Sequence, residues 1–569
     1  MAVEIKRGYC TLCRSRCGTL NWVDGDRLIK VEPDNDHPTG SAICVKGRAA
    51  PEIVHSPNRL LFPMRRTTPK NATDPGWKRI SWQEALDTIA SRMASIKAES
   101  GAEAVVFGVT TPSGTPMSDS IDWVERFIRA FQSPNICYGT EVCNWHKDHA
   151  HAFTFGCGMP TADYANAQLI LLWGHNPTST WLSQATAIGK GRASSARMIV
   201  VDPRKTPLAA DADVWLQVRP GTDIIVALGL TRLLLDSGGF DQHFVRHWTN
   251  APVLVRSDNG QLLRAVDCVE LATRHSNLRG EDLVIWDDCQ GAPIRFSPDE
   301  ATSLSPNSDT ALSARHDIRL AGGSTVTCES VFSLLWRNCE HVTPEVVERN
   351  AGVSAEALKE AAKLLGSCRP VAYHSWTGIG QHRNATQTER ALAILYALTG
   401  SFDAPGGNRR FSSPAARNIN GQDLIGPDQL NKALGIAQRP LGPPSQGWVT
   451  AHDFYRAVVE GNPYQVRAFF GFGTNLLVSQ GDVEKGIAAY QQLEFHVHCD
   501  LFETPTSRFA DIILPVNSPW EREALRVGFE INEDAAQHVQ LRPKAVSPQG
   551  ESRSDIDIVL ALAQRLGMQ

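Results

Sequence analysis

At 569 residues the chain is too long for one hydrophobic core, and an apolar fraction of 42% gives several domains an ordinary globular interior. A net charge of −5, with both signs interspersed and no basic block, argues against a nucleic-acid partner. No apolar run approaches the ~20 residues that cross a bilayer, and the start Met1-Ala2-Val3-Glu4-Ile5 lacks the basic and apolar regions of a secretory signal. The expectation is a soluble, cytoplasmic protein without a membrane span, whose 13 cysteines stay reduced and do not form a disulfide framework.

Taken from the start, Cys10, Cys13 and Cys17 fall within eight residues, and Cys44 follows in Ala42-Ile43-Cys44-Val45-Lys46-Gly47. Structural zinc sites usually draw their cysteines as two close pairs. Three close cysteines plus one remote suit a cubane 4Fe-4S cluster better, because one loop wraps three corners. Zinc remains the alternative. Arg14, Arg16, Lys46 and Arg48 flank the ligands, and cations there favour a reduced, anionic cluster. The other nine cysteines are mostly scattered among apolar residues as small buried hydrophobes.

Residues 19–32 alternate around Val23-Asp24-Gly25-Asp26, a hairpin signal that predicts a small β-rich cap on the cluster. Ser81-Trp82-Gln83-Glu84 reads as a capping box opening a helix with Trp82, Leu86, Ile89, Met93 and Ile96 on one face. A short strand, 104–109, follows. From Gln168 strands and helices alternate: strand 169–173 ends in Gly174-His175-Asn176-Pro177, a helix spans about 180–194, strand 198–201 ends at Asp202-Pro203-Arg204, and strand 214–218 precedes Pro220-Gly221-Thr222-Asp223 and a helix. This pattern predicts a parallel sheet with ligands beyond the carboxyl ends of its strands. There is no Gly-x-Gly-x-x-Gly, so it is not the usual nicotinamide site.

The second half repeats the first. Asp202 is followed by Thr206, Pro207, Ala212, Asp213, Val214 and Leu216; Asp500 is followed by Thr504, Pro505, Ala510, Asp511, Ile512 and Leu514 at the same offsets. Upstream, Gly174-x-Asn176 matches Gly473-x-Asn475. A strand-end glycine admits a phosphate close to the backbone, and a carboxylate after the next strand holds ribose or base. The simplest account is two related domains holding two similar nucleotides; a duplication with one dead site is the alternative. Residues 256–325 are polar and rich in Gly, Ser and Asp, and read as a surface insertion. Residues 403–447 have little periodicity and suggest a loop that lines a funnel near Gly406-Gly407-Asn408.

In this order the motifs resemble the dimethyl sulfoxide reductase superfamily of molybdenum or tungsten bis-pterin enzymes, over essentially the whole chain. The resemblance implies an α/β protein: a small β-rich iron–sulfur domain plus two Rossmann-like doubly wound parallel-sheet domains related by internal duplication. The expected arrangement is a 4Fe-4S domain at 1–62; a first dinucleotide-binding domain at 138–390 with the insertion at about 256–325; a second at 63–137 with 391–500; and a segment 501–569 that returns to the cluster domain. The cofactors implied are a 4Fe-4S cluster on Cys10, Cys13, Cys17 and Cys44 and a molybdenum or tungsten bis(molybdopterin guanine dinucleotide). One dinucleotide falls to Gly174, Asn176, Asp202, Arg204, Gly221, Thr222 and Asp223, the other to Gly471, Gly473, Asn475, Asp500, Thr504 and Asp511. Lys46 would stand between cluster and pterin. Family members continue into a C-terminal β-barrel over the pterins, so either a separate chain supplies the barrel or this chain is a fragment.

The family loop that ligates the metal resembles Tyr138-Gly139-Thr140-Glu141-Val142-Cys143-Asn144-Trp145-His146, placing Cys143 on the metal. A thiolate at a helix start has a lowered pKa and binds soft metals. His146 and His149 share a helical face but His151 turns away, which disfavours a zinc site. Arg390 matches the arginine that formate dehydrogenases and polysulfide or thiosulfate reductases place beside the metal, and would bind an anion through charge-assisted hydrogen bonds. Formate dehydrogenases follow the ligand with histidine; here Asn144 follows, with His146 two positions on. Acetylene hydratase carries an aspartate after the second cluster cysteine; here it is Arg14, a permanent cation. The expected function is two-electron redox of a small anionic or oxygenated substrate, formate-type or sulfur- or oxyanion-type, with an iron–sulfur or flavin redox partner. The alternatives are an electron-transfer scaffold, as in the large iron–sulfur subunit of respiratory complex I, and a non-redox hydratase or transhydroxylase.

Overall fold

The structure is a computed structural model describing residues 3–110, 117–143, 145–297 and 310–568; Asn144 lies outside the described residues. The chain divides into two compact units, one of Met1–Trp145, Asn176–Gly189 and Phe411–Gln569, the other of His146–His175 and Lys190–Arg410.

The first unit opens with a three-stranded antiparallel sheet, Glu4–Tyr9, Gly18–Asp24 and Arg27–Pro33. Its inner residues Val23, Leu28 and Val31 pack with Cys10, Cys17, Trp520, Ala545 and Val546. Residues near 520 and 545, in the segment expected to return to the cluster, thus pack beside Cys10 and Cys17. Ile512–Pro515 of the same segment instead pairs in parallel with Phe495–Asp500 inside a large sheet. That eight-stranded sheet runs Trp448–Val449, Ile136–Tyr138, Val105–Val109, Ala468–Phe472, Phe495–Asp500, Ile512–Pro515, Met64–Arg65, Lys78–Arg79, and is parallel as far as Ile512–Pro515. Phe107, Phe470, Phe472, Val497 and Leu514 are fully buried on it, as strands covered on both faces require. The helix Trp82–Ser100 begins where the sequence indicates: Ser81 Oγ accepts the Glu84 amide at 3.1 Å, and Trp82, Leu86, Ile89, Met93 and Ile96 form its buried stripe.

The second unit holds a four-stranded parallel sheet ordered Val214–Leu216, Arg197–Val201, Leu169–Trp173, Val371–Ser375. Helix Ala385–Leu398 packs its Leu392, Leu395, Tyr396 and Leu398 into the same core as Leu169, Leu171 and Ile199. A domain boundary at 390 would cut this helix in half, so residues 391–410 belong here rather than with the second dinucleotide domain.

Two further expectations change. The segment after 253 is not merely a polar surface insertion: Leu254, Leu263, Cys268, Leu271, Val284, Ile318 and Cys328 form a core of their own. Gly406, Gly407 and Asn408 are buried rather than surface loop. Asn408 is fully buried and clamps the edge of the sheet, its Oδ1 accepting the Tyr373 amide at 2.8 Å and its Nδ2 donating to the carbonyls of Tyr373 (2.8 Å) and Pro160 (2.9 Å). A Cβ on Gly407 would lie 1.9 Å from the Ser401 carbonyl oxygen, so only glycine permits that approach.

Candidate functional site

The four N-terminal cysteines line one pocket together with Ser15, Arg16, Lys46 and Gly47. A hydrogen bond from Cys10 N to Cys17 O, 2.8 Å, closes the loop, and Arg16 takes a left-handed φ of 47° to complete it. Ser15 Oγ lies 3.0 Å from Cys17 Sγ and accepts the Ser183 amide at 2.9 Å, which ties the loop to residues 178–182 on the pocket's other wall. Those residues carry no cluster signature, and nothing local in the sequence points to them. Burial pushes the thiols of Cys10 and Cys13 up and that of Cys17 to about 12. Four sulfurs gathered in one pocket, three of them held against their own ionisation, call for a cationic guest. Among the described residues no three or more His, Cys, Asp or Glu are placed to hold a single metal ion. A cubane spreads its ligands over four corners, and the shared pocket fits that guest. Lys46 is exposed at the pocket. Arg14 is ion-paired with Glu530 and stands 5.2 Å from the ring of Trp181.

In the second unit a cavity of about 270 Å³ opens at the carboxyl ends of the strands. Gly174, Asp202, Arg204 and Asp223 line it, joined by Gly378 and His382. It sits where the strand order reverses, between Leu169–Trp173 and Val371–Ser375, the position at which open parallel sheets bind ligands. Gly174 has φ +57°, and a Cβ there would lie 3.0 Å from Gly378 Cα. The two strand-end turns therefore pass close only because both residues are glycine. Asp202 Oδ1 accepts the Arg204 amide at 2.8 Å, and Asp223 accepts from Trp173 Nε1 at 2.9 Å; burial raises the Asp223 carboxyl above its usual range. Gly221, φ +84°, comes near His382. Thr222 Oγ1 is occupied in a bond to the Arg219 carbonyl, 2.7 Å. Asn176 belongs to the other unit, where it starts the short helix Pro177–Thr180 and its Oδ1 accepts from Thr178 Oγ1 at 2.8 Å.

The first unit has the same local geometry around its own strand ends. Gly473 has φ +58°, and its amide bonds Cys499 O at 2.8 Å, as the Gly174 amide bonds Val201 O at 2.9 Å. Asn475 Oδ1 accepts from Thr506 Oγ1 at 2.9 Å, and Asp500 Oδ1 from the Leu501 amide at 2.7 Å. Thr504 Oγ1 accepts the Ser507 amide at 3.1 Å, as Thr206 Oγ1 accepts that of Ala209. Two expected cofactor residues are placed otherwise. Asp511 precedes Ile512, opposite His496 at the amino end of the sheet, about four strand residues or ~13 Å from Asp500. There its Oδ2 accepts the His496 amide at 2.7 Å and pairs with Lys70 at 2.9 Å, so it fixes strand register. Asp213 does the same with the Met198 amide. Gly471 lies within its strand, where a Cβ would meet His498 Nδ1 at 2.6 Å, so its missing side chain makes room for that ring.

Cys143 follows the turn Gly139–Val142 and is half-buried. The chain then runs not directly into an α-helix but into a π-helical turn, His146–Ala150, and the short α-helix His151–Phe155; such turns recur at functional sites. His146 is lowered to about 4 by burial and by the neighbouring His149. Arg390 lies in the second turn of Ala385–Leu398 rather than at its start, exposed, with Nη1 donating to Gln387 Oε1 at 3.1 Å.

A four-thiol pocket and parallel sheets with glycine turns at their carboxyl ends, one of them opening a crevice, have the features of an iron–sulfur protein of the α/β class. Residues 4–56 match the molybdopterin oxidoreductase Fe4S4 domain and residues 59–565 match molybdopterin oxidoreductase. The chain belongs to the molybdopterin oxidoreductase family, with a 4Fe-4S cluster and a molybdenum–pterin as its cofactors. It is 28% identical to the dopamine dehydroxylase of Eggerthella lenta, over 98% of this chain and 62% of that protein. It is 26% identical to a sulfite dehydrogenase subunit of Allochromatium vinosum, over 99% of this chain and 64% of that one. The chain thus spans under two thirds of the length of these relatives. The structure of acetylene hydratase from Pelobacter acetylenicus shares the fold, with a TM-score of 0.76, 21% identity, and coverage of 99% of this chain and 69% of that one. No helix among the described residues is long and apolar enough to cross a membrane.

The cluster assignment makes one expectation. Cys13→Ser is expected to lower bound iron and sulfide, measured after anaerobic purification, and to remove the reduced-state paramagnetic signal. Stoichiometric zinc without iron in the parent protein would reverse the assignment.

Proposed function

We propose that the protein is a molybdenum or tungsten bis(molybdopterin guanine dinucleotide) oxidoreductase acting in two-electron steps on a small anionic or oxygenated substrate. The observation that supports this most is the crevice of Gly174, Asp202, Arg204 and Asp223, whose strand-end geometry recurs at Gly473 and Asp500. We read the two as products of an internal duplication, each holding one guanine dinucleotide. When bound, the metal–pterin supplies the two-electron chemistry and the cluster the one-electron exchange. Cys143 would ligate the metal, and Lys46, exposed at the cluster pocket, would stand on the electron path. Asn144 orients substrate by hydrogen bonds. His146, neutral near pH 7, accepts rather than donates a proton. The exposed guanidinium of Arg390 would hold an oxyanion or carboxylate.

A scaffold that has lost its metal is the competing reading. Retention of Cys143, Arg390 and both sets of strand-end residues favours the enzyme, and molybdenum, tungsten and pterin analysis of cofactor-loaded protein separates the two. Iron without any of these would establish the scaffold. The hydratase reading is disfavoured because Arg14, paired with Glu530, has no proton to give near neutral pH. The Allochromatium vinosum relative is one component of a sulfite dehydrogenase rather than the whole of it, which supports a separate redox partner here.

Substrate choice is tested by comparing formate oxidation with thiosulfate, polysulfide, arsenate and nitrate reduction. Arg390→Ala is expected to raise KM for an anionic substrate by about tenfold to a hundredfold, the equivalent of a lost charged hydrogen bond of about 1.5–3 kcal/mol. An unchanged KM removes Arg390 from substrate binding.

A further inference from the structure

One helical turn carries two residues of opposite fate. Arg390 is exposed, while its neighbour Glu389 is fully buried. Glu389 Oε2 accepts a hydrogen bond from Ser375 Oγ at 2.8 Å and lies 3.7 Å from His151 Nδ1. Its Oε1 has no hydrogen-bond partner among the described residues. His151 is also fully buried, with Nε2 3.4 Å from the hydroxyl of Tyr373. A buried carboxylate with one bare oxygen is costly, and such groups are usually paired or neutral. Lys147, whose charge reaches Glu389, makes its contacts with Asp148, which it pairs with, and with the Trp376 ring at 5.8 Å.

We propose that Glu389 and His151 form a proton-storing pair inside the second unit. Glu389 carries the proton and hands it to His151 Nδ1 when charge changes at the reacting centre, the 3.7 Å gap between them closing to hydrogen-bond distance for the step. The step breaks the carboxylic O–H bond and forms an imidazole N–H bond. It leaves a carboxylate and an imidazolium, moves no electrons and needs no co-reactant. The charge environment favours this resting state and opposes the transfer until charge at the reacting centre changes. Burial raises Glu389 to about 8; the Ser375 hydrogen bond and the Lys147 charge oppose this, while the Asp148 and Asp223 carboxylates add to it. Burial and the Lys147 charge hold His151 near 3, against Asp148 and hydrogen bonding to the backbone of Lys147 and His146. Both groups are therefore neutral near pH 7, with the proton on the carboxyl. The role in turnover rests on the oxidoreductase reading; the protonation state does not.

Infrared spectroscopy of the protein as isolated reads the resting state. A band of a protonated, buried carboxylic acid is expected at neutral pH, lost in Glu389→Gln and shifted in Ser375→Ala, which deletes the hydrogen bond to it. The second variant keeps the assignment open to test should the first not fold. A band that fails to respond to either, or is absent, shows an ion pair with His151 and overturns the proposal. Reduced-minus-oxidised difference spectra of the loaded holoenzyme read the transfer. Loss or shift of the same band on reduction supports it, and a band unmoved in metal-loaded enzyme overturns the transfer. Protein that binds no molybdenum or tungsten overturns the oxidoreductase reading instead, and leaves the resting-state band as it was.

Discussion

Replacing Cys143 by alanine is expected to lower turnover by about a thousandfold or more, equivalent to about 4 kcal/mol of transition-state stabilisation. The loop that presents the thiol is held by other residues. Glu141 Oε2 accepts the Ala451 amide at 2.9 Å. The Tyr138 hydroxyl donates to buried Glu125, which in turn pairs with Arg129 at 2.7 Å. Cys143 itself is half-buried and belongs to none of the hydrophobic cores seen among the described residues. Its removal should therefore cost little stability, within about 1 kcal/mol, and leave iron content unchanged. Turnover, metal content and thermal melting measured together separate a lost ligand from a lost fold. Parent-like turnover in the variant would take Cys143 out of the mechanism.

Residues whose meaning is local were legible in the sequence. Ser81 and Glu84 mark a helix start because a cap hydrogen bond spans three residues. Cys10, Cys13 and Cys17 imply a shared guest because one short loop can aim them all inward. Long-range closure was not legible. Gly378 and His382 complete the crevice begun by Gly174, yet stand about two hundred residues away with no spacing to tie them to it. Matching offsets also misled. Asp511 repeats Asp213 as faithfully as Asp500 repeats Asp202, but a repeat in sequence does not tell which end of a strand a residue occupies. The observed register puts Asp511 at the amino end, where it bonds a backbone amide. The boundary at 390 failed for a similar reason: Arg390 looked like a helix start, although the apolar positions Leu392 and Leu395 continue the face that Thr388 and Glu389 already bury. Gly406 to Asn408 read as loose loop because glycine and asparagine favour turns; a side-chain amide that replaces a strand partner leaves no periodic trace.

The second large effect concerns a buried ion pair that joins distant parts of the first unit. Arg59 and Glu521 have side chains 1% and 0% exposed, so neither charge is screened by water. Their contacts run two abreast, Nη1 to Oε2 at 3.1 Å and Nη2 to Oε1 at 3.4 Å. Arg59 also donates to the carbonyls of Val54 (3.1 Å) and Val516 (3.0 Å). Glu521 accepts the amides of Ser518 (2.6 Å) and Gln549 (2.7 Å), the first as half of a capping box. One pair thus ties the helix Ala50–Val54, just after the last cluster cysteine, to residues more than 450 positions on. The net value of such a pair over an apolar substitute is small, because desolvating two charges offsets their attraction. Removing one member is different, since the other stays buried and uncompensated. Glu521→Ala and Arg59→Ala are each expected to destabilise the first unit by about 3–5 kcal/mol. The double variant should cost clearly less than the sum of the two, which denaturant unfolding of all four proteins measures. Because Trp520 packs in the same core as Cys10 and Cys17, bound iron is expected to fall in either single variant before global unfolding begins. Additive losses, or iron retained up to the unfolding midpoint, would show that the pair does not brace the cluster loop.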